Sequence, residues 1–347
     1  MAAYFIAESE FGVFVTQMMK AQRVIAPVAK KKKFMYEELQ DAGDLRLDFD
    51  TTLLPPKKAI MPPHQELVSF KGKEITSSIA PVPQVLFGVH WYDVKAIDML
   101  DVLFERNHRD NNYLANREHT TVVISNIQKV SERAFWQTVG QGVEPKGHDA
   151  WLTKITGGYH YDCHTLKGEA LLKHGKFAAA SAAQSKEAAS VNKAVLECCP
   201  EKLKYSTEEI AKTVRESFKK KALWAELSKD CFSCGTCNIV CPTCYCFDVR
   251  DEWHLDQESG ARSRHWDGCL LRGFSEVSLG GGATENFRED VAERFRHRVM
   301  RKTTYLNPVL GGPACVGCGR CSAGCVPDIA DPVKIIDRIM EDAGHGK

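Results

Sequence analysis

Apolar residues in the first 165 positions fall into short runs, separated by polar and proline-rich segments. Three of these runs have the length and the β-branched content of buried strands: 85–89, 121–125 and 150–155. Between the first two, apolar side chains at positions 97, 99, 100, 103 and 104 repeat with the period of a helix. A strand, a helix and another strand in this order predict an α/β unit with a crossover connection.

From about residue 166 the pattern becomes helical. Residues 176–197 are rich in alanine, which favours a connecting helix. Ser206 and Glu209 have the spacing of a capping box, and apolar residues at 210, 214 and 218 follow on one face. Apolar residues at 287, 291, 295 and 299 predict a second helix, and a third is expected at 332–342.

Charge is almost balanced, with 46 basic and 45 acidic side chains and a net charge of +1. This balance gives no indication of a nucleic-acid partner or of an acidic membrane surface. Residues 1–27 lack the pattern of a signal peptide, and no apolar stretch reaches the length of a membrane span. The sequence therefore predicts a soluble, cytoplasmic protein.

Eight of the fourteen cysteines form two runs with the same spacing, C-x2-C-x2-C-x3-C. The first run is Cys231, Cys234, Cys237 and Cys241, and the second run is Cys315, Cys318, Cys321 and Cys325. This spacing is typical of 4Fe–4S clusters, and it favours metal binding in a reducing compartment over a disulfide framework. A zinc site is the alternative, but zinc sites use pairs of cysteines, and neither run separates into such pairs.

The spacing also predicts how the cysteines are shared. Three thiolates at i, i+3 and i+6 can hold three corners of one cube, and the fourth cysteine typically ligates the other cluster. Cluster 1 is therefore assigned to Cys231, Cys234, Cys237 and Cys325, and cluster 2 to Cys315, Cys318, Cys321 and Cys241. Two cubes of four irons give an expected content of about eight irons per chain.

Together these patterns predict an α+β fold, in which an N-terminal α/β domain precedes a mainly helical, ferredoxin-like di-cluster domain. We place a scaffold or docking domain at 1–175, a connecting helix at 176–205 and the cluster domain at 206–347. The 73 residues between Cys241 and Cys315 are far more than a compact bacterial ferredoxin places between its motifs. An inserted segment between the two runs is therefore expected.

Five strings of residues carry a resemblance to a known family. They are KKAIMPPHQEL at 57–67, GVHWYD at 88–93, CPTCYCFDV at 241–249, RSRHWDGC at 262–269 and CVGCGRC at 315–321. The chain resembles the di-cluster iron–sulfur subunits of anaerobic oxidoreductases. These include the beta subunit of sulfhydrogenases, the corresponding iron–sulfur subunit of anaerobic sulfite reductase, and that of flavin oxidoreductases associated with heterodisulfide reductase.

The resemblance implies an electron-transfer subunit in a cytoplasmic complex. One partner would bind flavin and NAD(P), and the other would be a hydrogenase, sulfite reductase or heterodisulfide reductase-type subunit. The resemblance places FAD and NAD(P) on that partner, and this chain shows no binding motif for a two-electron cofactor. Gly280-Gly281-Gly282 is expected to be a loop, because no strand precedes it in the form that a dinucleotide fingerprint needs.

Two positions depart from the family pattern. Tyr92 stands where the family often has cysteine, and Ala134-Phe135-Trp136 stands where it often has a Cys-Phe-Cys string. The missing cysteines are suited to an additional cluster in the N-terminal domain. We therefore expect two cubes in this chain, not three.

The cysteines outside the runs leave alternatives open. Cys244, Cys246 and Cys269 are either buried contacts to the clusters or, with one more ligand, an extra cluster that makes the chain a catalytic reductase. A third interpretation is architectural, with the clusters mainly holding the fold together.

The arginines between 262 and 301 are candidates for hydrogen bonds to the clusters or for a solvated helix face. The twelve histidines show no ligand-like spacing with a carboxylate and are expected at the surface.

Overall fold

The computed structural model describes residues 2–139 and 145–345. The strands of these residues are β1 (Ala3–Ala7), β2 (Arg23–Lys30), β3 (Lys33–Glu38), β4 (His64–Lys71), β5 (Glu74–Ser77), β6 (Gln84–Val89), β7 (Thr120–Ser125), β8 (Ala150–Ile155), β9 (Gly158–Cys163), β10 (Ala178–Ala179), β11 (Phe247–Trp253), β12 (Ser259–Trp266), β13 (Glu276–Gly280) and β14 (Ala283–Asn286).

The α-helices of the described residues are α1 (Glu8–Ala21), α2 (Trp91–Glu105), α3 (Asn111–Glu118), α4 (Trp136–Val139), α5 (Leu166–Ala170), α6 (Ala182–Glu197), α7 (Thr207–Glu216), α8 (Lys221–Leu227), α9 (Thr236–Ile239), α10 (Val291–Met300), α11 (Asn307–Leu310), α12 (Arg320–Ala323) and α13 (Pro332–Asp342). Short 3₁₀ turns occupy Ala42–Asp44, Pro56–Ala59, Leu172–His174, Ser217–Lys219 and Gly273–Ser275, and a π-helical turn spans Arg301–Tyr305.

The chain forms two compact units, and each is built from several segments. Residues 2–61, 79–131 and 145–199 form the first unit, and residues 62–78, 132–139 and 200–345 form the second. The early strand β4 belongs to the second unit, where it pairs with β12. The domain boundaries expected from the sequence stay a prediction.

The first unit contains an eight-stranded sheet in the order β10-β1-β9-β8-β7-β6-β2-β3. Its central strands β8, β7, β6 and β2 run parallel, and β6 is buried along its whole length. A parallel strand covered on both faces requires a nearly continuous apolar run, which is why the sequence pattern could locate it. The predicted strands β6, β7 and β8 and the predicted helix α2 are confirmed.

Two helices show how this sheet is covered. Helix α1 buries Phe11, Phe14, Val15 and Met18 in the apolar core of the unit. The alanine-rich segment forms α6, which begins at a capping box of Ser181 and Gln184. This helix packs on the sheet: Asn192 donates a hydrogen bond to Thr153 of β8 at 3.1 Å.

The second unit combines helices with strands. A four-stranded antiparallel sheet has the order β11-β12-β4-β5, and β13 and β14 form a separate hairpin. The expectation of a mainly helical second domain is therefore not confirmed, although the mixed α+β class is. The residues between the two cysteine runs supply β11 to β14 and also α10 and α11, so the expected insertion contains both strands and helices.

The helices of the second unit surround an apolar core. Ser206 and Glu209 form the predicted capping box at the start of α7. Helices α10 and α13 lie close to the predicted positions and bury one face. Core residues shared among these helices include Ile210, Val214, Trp224, Phe295, Val299, Ile336 and Ile339.

Candidate metal centre

Both cysteine runs fold into the same backbone turn. In the first run, Ser233 has a φ of 52° and Gly235 a φ of 73°. At the corresponding positions of the second run, Gly317 has a φ of 67° and Gly319 a φ of 76°. Left-handed residues alternating with ordinary ones direct successive backbone N–H groups into one concavity, a geometry found at many iron–sulfur sites.

Each turn continues into a short helix with matching hydrogen bonds. Helix α9 follows Gly235, and α12 follows Gly319. The fourth cysteine of each run is then fixed by an equivalent bond of 3.2 Å, from Cys241 N to Asn238 O and from Cys325 N to Ser322 O. The equal cysteine spacing thus corresponds to an equal local structure.

The structure brings the last cysteine of the second run to the start of the first run. Burial raises the pKa of the Cys231 thiol, and the nearby sulfurs of Cys325 and Cys234 raise it further. Burial also raises the pKa of Cys237, to about 12. These four residues are the set predicted for cluster 1.

The four cysteines predicted for cluster 2 line one cavity: Cys241, Cys315, Cys318 and Cys321. Burial raises the pKa of the Cys315 thiol to about 12, and the sulfurs of Cys321 and Cys241 contribute as well. Sulfurs packed this closely cannot all ionise alone at neutral pH. A bound metal replaces the thiol protons and relieves this conflict, so the donor set fits a metal cluster.

Two cationic side chains lie among these cysteines. The Arg298 guanidinium is buried on α10 and donates a hydrogen bond to the Cys237 carbonyl at 3.4 Å. Lys302 lies in the π-helical turn and donates to the Thr243 hydroxyl at 2.7 Å. Burial opposes the charge of Lys302, but the sulfurs of Cys241 and other cysteines outweigh it and raise the pKa of Lys302 well above its ordinary value.

These cations complement the charge that bound clusters would carry. Thiolates and cluster sulfides are negative, and buried charge requires a partner. Sequence reasoning pointed to the arginines around Arg298 but missed Lys302, because its position next to the cysteines depends on the π-helical turn. Such turns often occur at functional sites.

Residues 134–136, which depart from the family pattern, pack against the second cysteine run. Phe135 N donates to the Gly317 carbonyl at 2.8 Å, and Phe135 and Trp136 are both buried. In the first unit, Tyr92 is buried and its hydroxyl lies 2.8 Å from Nδ1 of His90. Tyr92, Ala134 and Trp136 thus stand at the positions where the resemblance places cysteine, and all three are buried.

Cys244, Cys246 and Cys269 line a small pocket of the second unit, together with Asn238. The Asn238 amide nitrogen lies 3.4 Å from the Cys269 sulfur and 3.7 Å from that of Cys244. Sequence reasoning missed Asn238 because nothing in its local spacing indicates a contact with Cys269, 31 residues later.

The surface prediction is wrong for His90, His148 and His160, which are buried. Two other histidines also group with a carboxylate, which their spacing in the sequence did not indicate. His64, Glu252 and His265 lie on β4, β11 and β12, and their ligand atoms are all within 4.8 Å of one another. His265 Nε2 lies 3.2 Å from a Glu252 oxygen, and the rings of His64 and His265 stack at 4.5 Å. Sheet pairing across three strands creates the group, so local spacing could not reveal it. His64 and Glu252 are exposed, as expected of surface residues.

Comparison with known proteins finds one similar protein family and one similar protein. Residues 230–329 match the family model of a 4Fe-4S dicluster domain, and this span contains both cysteine runs. This part of the chain is therefore similar to the 4Fe-4S dicluster domains. Over 343 residues it is 29% identical to "Sulfhydrogenase 2 subunit beta" of Pyrococcus furiosus, an alignment that covers 95% of this chain and 96% of the relative.

These matches confirm the suspected resemblance to the di-cluster iron–sulfur subunits. No solved structure gives a significant match. Within residues 2–139 and 145–345, no helix has both the length and the apolar character needed to cross a bilayer.

Proposed function

We propose that this protein is a cytoplasmic electron-transfer subunit. It relays single electrons between a subunit that binds FAD and NAD(P) and a hydrogenase, sulfite reductase or heterodisulfide reductase-type subunit. The observation that carries the proposal is the repeated backbone turn of the two cysteine runs, with four cysteines of different runs lining one cavity. The similarity to a sulfhydrogenase beta subunit along almost the whole chain supports a hydrogenase-type partner.

The ligand assignment follows the crossed pattern. Cys231, Cys234, Cys237 and Cys325 hold one 4Fe–4S cluster, and Cys315, Cys318, Cys321 and Cys241 hold the other. When bound, each cluster supplies a site that accepts one electron. The backbone N–H groups of the two turns and the side chains of Arg298 and Lys302 stabilise the negative charge, and the apolar core excludes water.

The crossed ligand assignment predicts which cysteine substitutions remove the same cluster. Cys325→Ser should remove the same cluster as Cys231→Ser, and the double variant should lose no more iron than either one. Cys241→Ser should match Cys315→Ser in the same way. Cys198→Ser, outside both runs, is the matched control and should keep the full iron content.

Iron and acid-labile sulfide are measured on anaerobically reconstituted protein, with electron paramagnetic resonance after reduction by dithionite. Each ligand variant should lose about four irons. If Cys325→Ser and Cys231→Ser remove different clusters, the crossed assignment is wrong. Colourless wild-type protein without sulfide, or with zinc in place of iron, would refute the proposed function.

Electron transfer has its own test. The isolated chain should show reversible one-electron steps in a potentiometric titration and no turnover with sulfite or NADPH. A substrate-dependent change in its spectrum, or turnover without partners, would instead favour the catalytic alternative. The architectural alternative predicts that Cys234→Ala disrupts assembly of the complex, whereas the electron-transfer function predicts intact assembly without electron flow.

A further inference from the structure

Three cysteines that belong to neither run meet at one end of a pair of strands. Cys246 directly precedes β11, and Cys269 follows β12. The two strands pair with Phe247 opposite Trp266, and Asp267 N donates to the Cys246 carbonyl at 3.1 Å. This pairing places both cysteines in the small pocket that Cys244 also lines.

The Asn238 side chain is held with its amide nitrogen toward the sulfurs. Its Oδ1 accepts a hydrogen bond from Leu270 N at 3.2 Å, so the NH₂ group must point the opposite way. Gly268 allows this close approach, because a Cβ there would lie 2.6 Å from the Asn238 Cβ. The nitrogen then faces Cys269 at 3.4 Å and Cys244 at 3.7 Å. An oriented donor aimed at two sulfurs is the arrangement that stabilises metal-bound thiolates.

The same pocket is lined by three cations, Arg298, Arg301 and Lys302. Arg301 donates a hydrogen bond to the Tyr245 hydroxyl, which also lines the pocket. Three cations around one pocket complement negative charge bound there, and thiolates with cluster sulfides supply such charge. The site also adjoins cluster 2, since the side chain of Cys244 lies beside that of Cys241.

The spacing of the sulfurs is wider than a single ion takes. Thiolates on one zinc ion lie about 2.3 Å from the metal and hence no more than about 4.6 Å apart. Among the described residues, the group whose three ligand atoms all fall within 4.8 Å of one another is His64, Glu252 and His265, not a set of cysteines. A multi-iron cluster holds its thiolates on different irons and therefore accepts sulfurs farther apart than one ion does.

We propose that Cys244, Cys246 and Cys269 hold a third 4Fe–4S cluster, with the fourth iron bound by a ligand other than cysteine. Asn238 donates hydrogen bonds to two of its thiolates, and Arg298, Arg301 and Lys302 balance its charge. The inference rests on the proposed electron-transfer function, which it extends by one redox centre next to cluster 2.

Iron counting separates the third cluster from the first two. Anaerobically reconstituted wild-type protein should contain about twelve irons per chain, and the Cys246→Ser/Cys269→Ser double variant about eight. The Cys163→Ser/Cys198→Ser double variant is the matched control and should keep about twelve. A wild-type content of about eight, or eight irons with one zinc, overturns the third cluster but leaves the proposed function standing. A content of about four or less contradicts both.

A second measurement covers the case in which the double variant does not fold. An iron without a cysteine ligand is released by mild oxidation: a 4Fe–4S²⁺ cluster gives one electron to ferricyanide and loses Fe²⁺, leaving 3Fe–4S⁺. Wild-type protein treated with one equivalent of ferricyanide should therefore release about one iron and develop the electron paramagnetic resonance signal of a 3Fe–4S cluster. Wild-type protein that releases no iron and shows no such signal contradicts the proposal.

Discussion

The backbone of Gly317 lies directly against that of Trp136. A Cβ on Gly317 would be 2.5 Å from both the nitrogen and the Cα of Trp136, and Gly317 has a φ of 67°. Both atoms are main-chain atoms, so neither can rotate away as a flexible side chain would. The second cysteine run is therefore shaped by a segment about 180 residues earlier in the chain.

Gly317→Ala should destabilise the second run. A left-handed alanine costs about 1–3 kcal/mol, and the clash with Trp136 adds to it. We expect a loss of at least about 2 kcal/mol, or an apparent Tm lower by about 4 °C or more. Gly312→Ala is the control, because a Cβ there meets nothing within 4 Å. Equal melting temperatures for the two variants, measured anaerobically by circular dichroism, would show that the contact is not rigid.

Lys302→Met should make one cluster harder to reduce. The substitution keeps the length of the side chain but removes a positive charge next to Cys241 and Cys315. Added electrons are then less well stabilised, so the midpoint potential of one cluster should become more negative. Potentiometric titration followed by electron paramagnetic resonance measures the shift. Lys212→Met, which removes a lysine of α7, should leave the potential of every cluster unchanged. Identical potentials in the wild type and both variants would exclude this role for Lys302.

The caps of two helices should differ in their contribution to stability. Ser206 caps α7 at the surface, and Ser206→Ala should cost about 1 kcal/mol. Asp331 caps α13 through Val333 N and Lys334 N, its side chain is 1% exposed, and it also pairs with Arg133 at 3.3 Å. Asp331→Ala should therefore cost about 2 kcal/mol or more, because a partly buried cation also loses a partner.

Asp331→Asn distinguishes the two contributions of this residue. Asparagine can still cap the helix but cannot form the ion pair, so its loss of stability should fall between zero and that of the alanine variant. Urea unfolding under anaerobic conditions gives the free energies. An Asp331→Ala variant no less stable than Ser206→Ala would show that the pair with Arg133 contributes nothing.

His297 should make the protein sensitive to acid. Burial, together with the nearby charges of Arg288, Arg301 and Arg296, lowers the pKa of His297 from 6.5 to about 4. The folded state therefore binds this proton more weakly than the unfolded state does. Above pH 6.5 His297 is neutral in both states and does not change the free energy of unfolding. As the pH falls from 6.5 toward 4, the unfolded state takes up the proton first, and the free energy of unfolding decreases.

A His297→Gln variant should show a smaller decrease in apparent Tm than wild type between pH 7.5 and 5.5. Glutamine does not titrate in this range and keeps a polar side chain of similar length. Parallel curves for the two proteins would mean that His297 titrates normally in the folded state.

The parts of the fold that the sequence predicts best are those fixed by local pattern. β6 and its parallel neighbours are buried apolar runs, and α7 begins at a capping box that can be seen in the sequence. The sheet containing β4 and β12 could not be found in this way. Its strands lie almost 200 residues apart in the chain, and β11 exposes most of its residues, so no apolar run marks it.

The residues of the candidate site also fall into those that local sequence pattern predicts and those that it does not. The eight motif cysteines are recognisable because iron–sulfur ligands are held by short, regular spacing. Asn238 and Lys302 are not, since their roles depend on which side chains tertiary packing brings to the same pocket. The group of His64, Glu252 and His265 was missed for the same reason, because it exists only once three strands have paired.

The repeated turn around Ser233 and Gly235, and around Gly317 and Gly319, has a consequence for the direction of electron flow. The two turns have the same backbone conformation and present the same peptide dipoles to the clusters that they would hold. The turns by themselves therefore cannot make one cluster a stronger electron acceptor than the other. A difference in potential between the two centres must come from outside the turns: from the deeper burial of Cys241 and Cys318 than of Cys234, and from the positive charges on α10 and the π-helical turn. Evolution could therefore reverse or remove that difference by changing a few side chains outside the turns, without altering a single metal ligand.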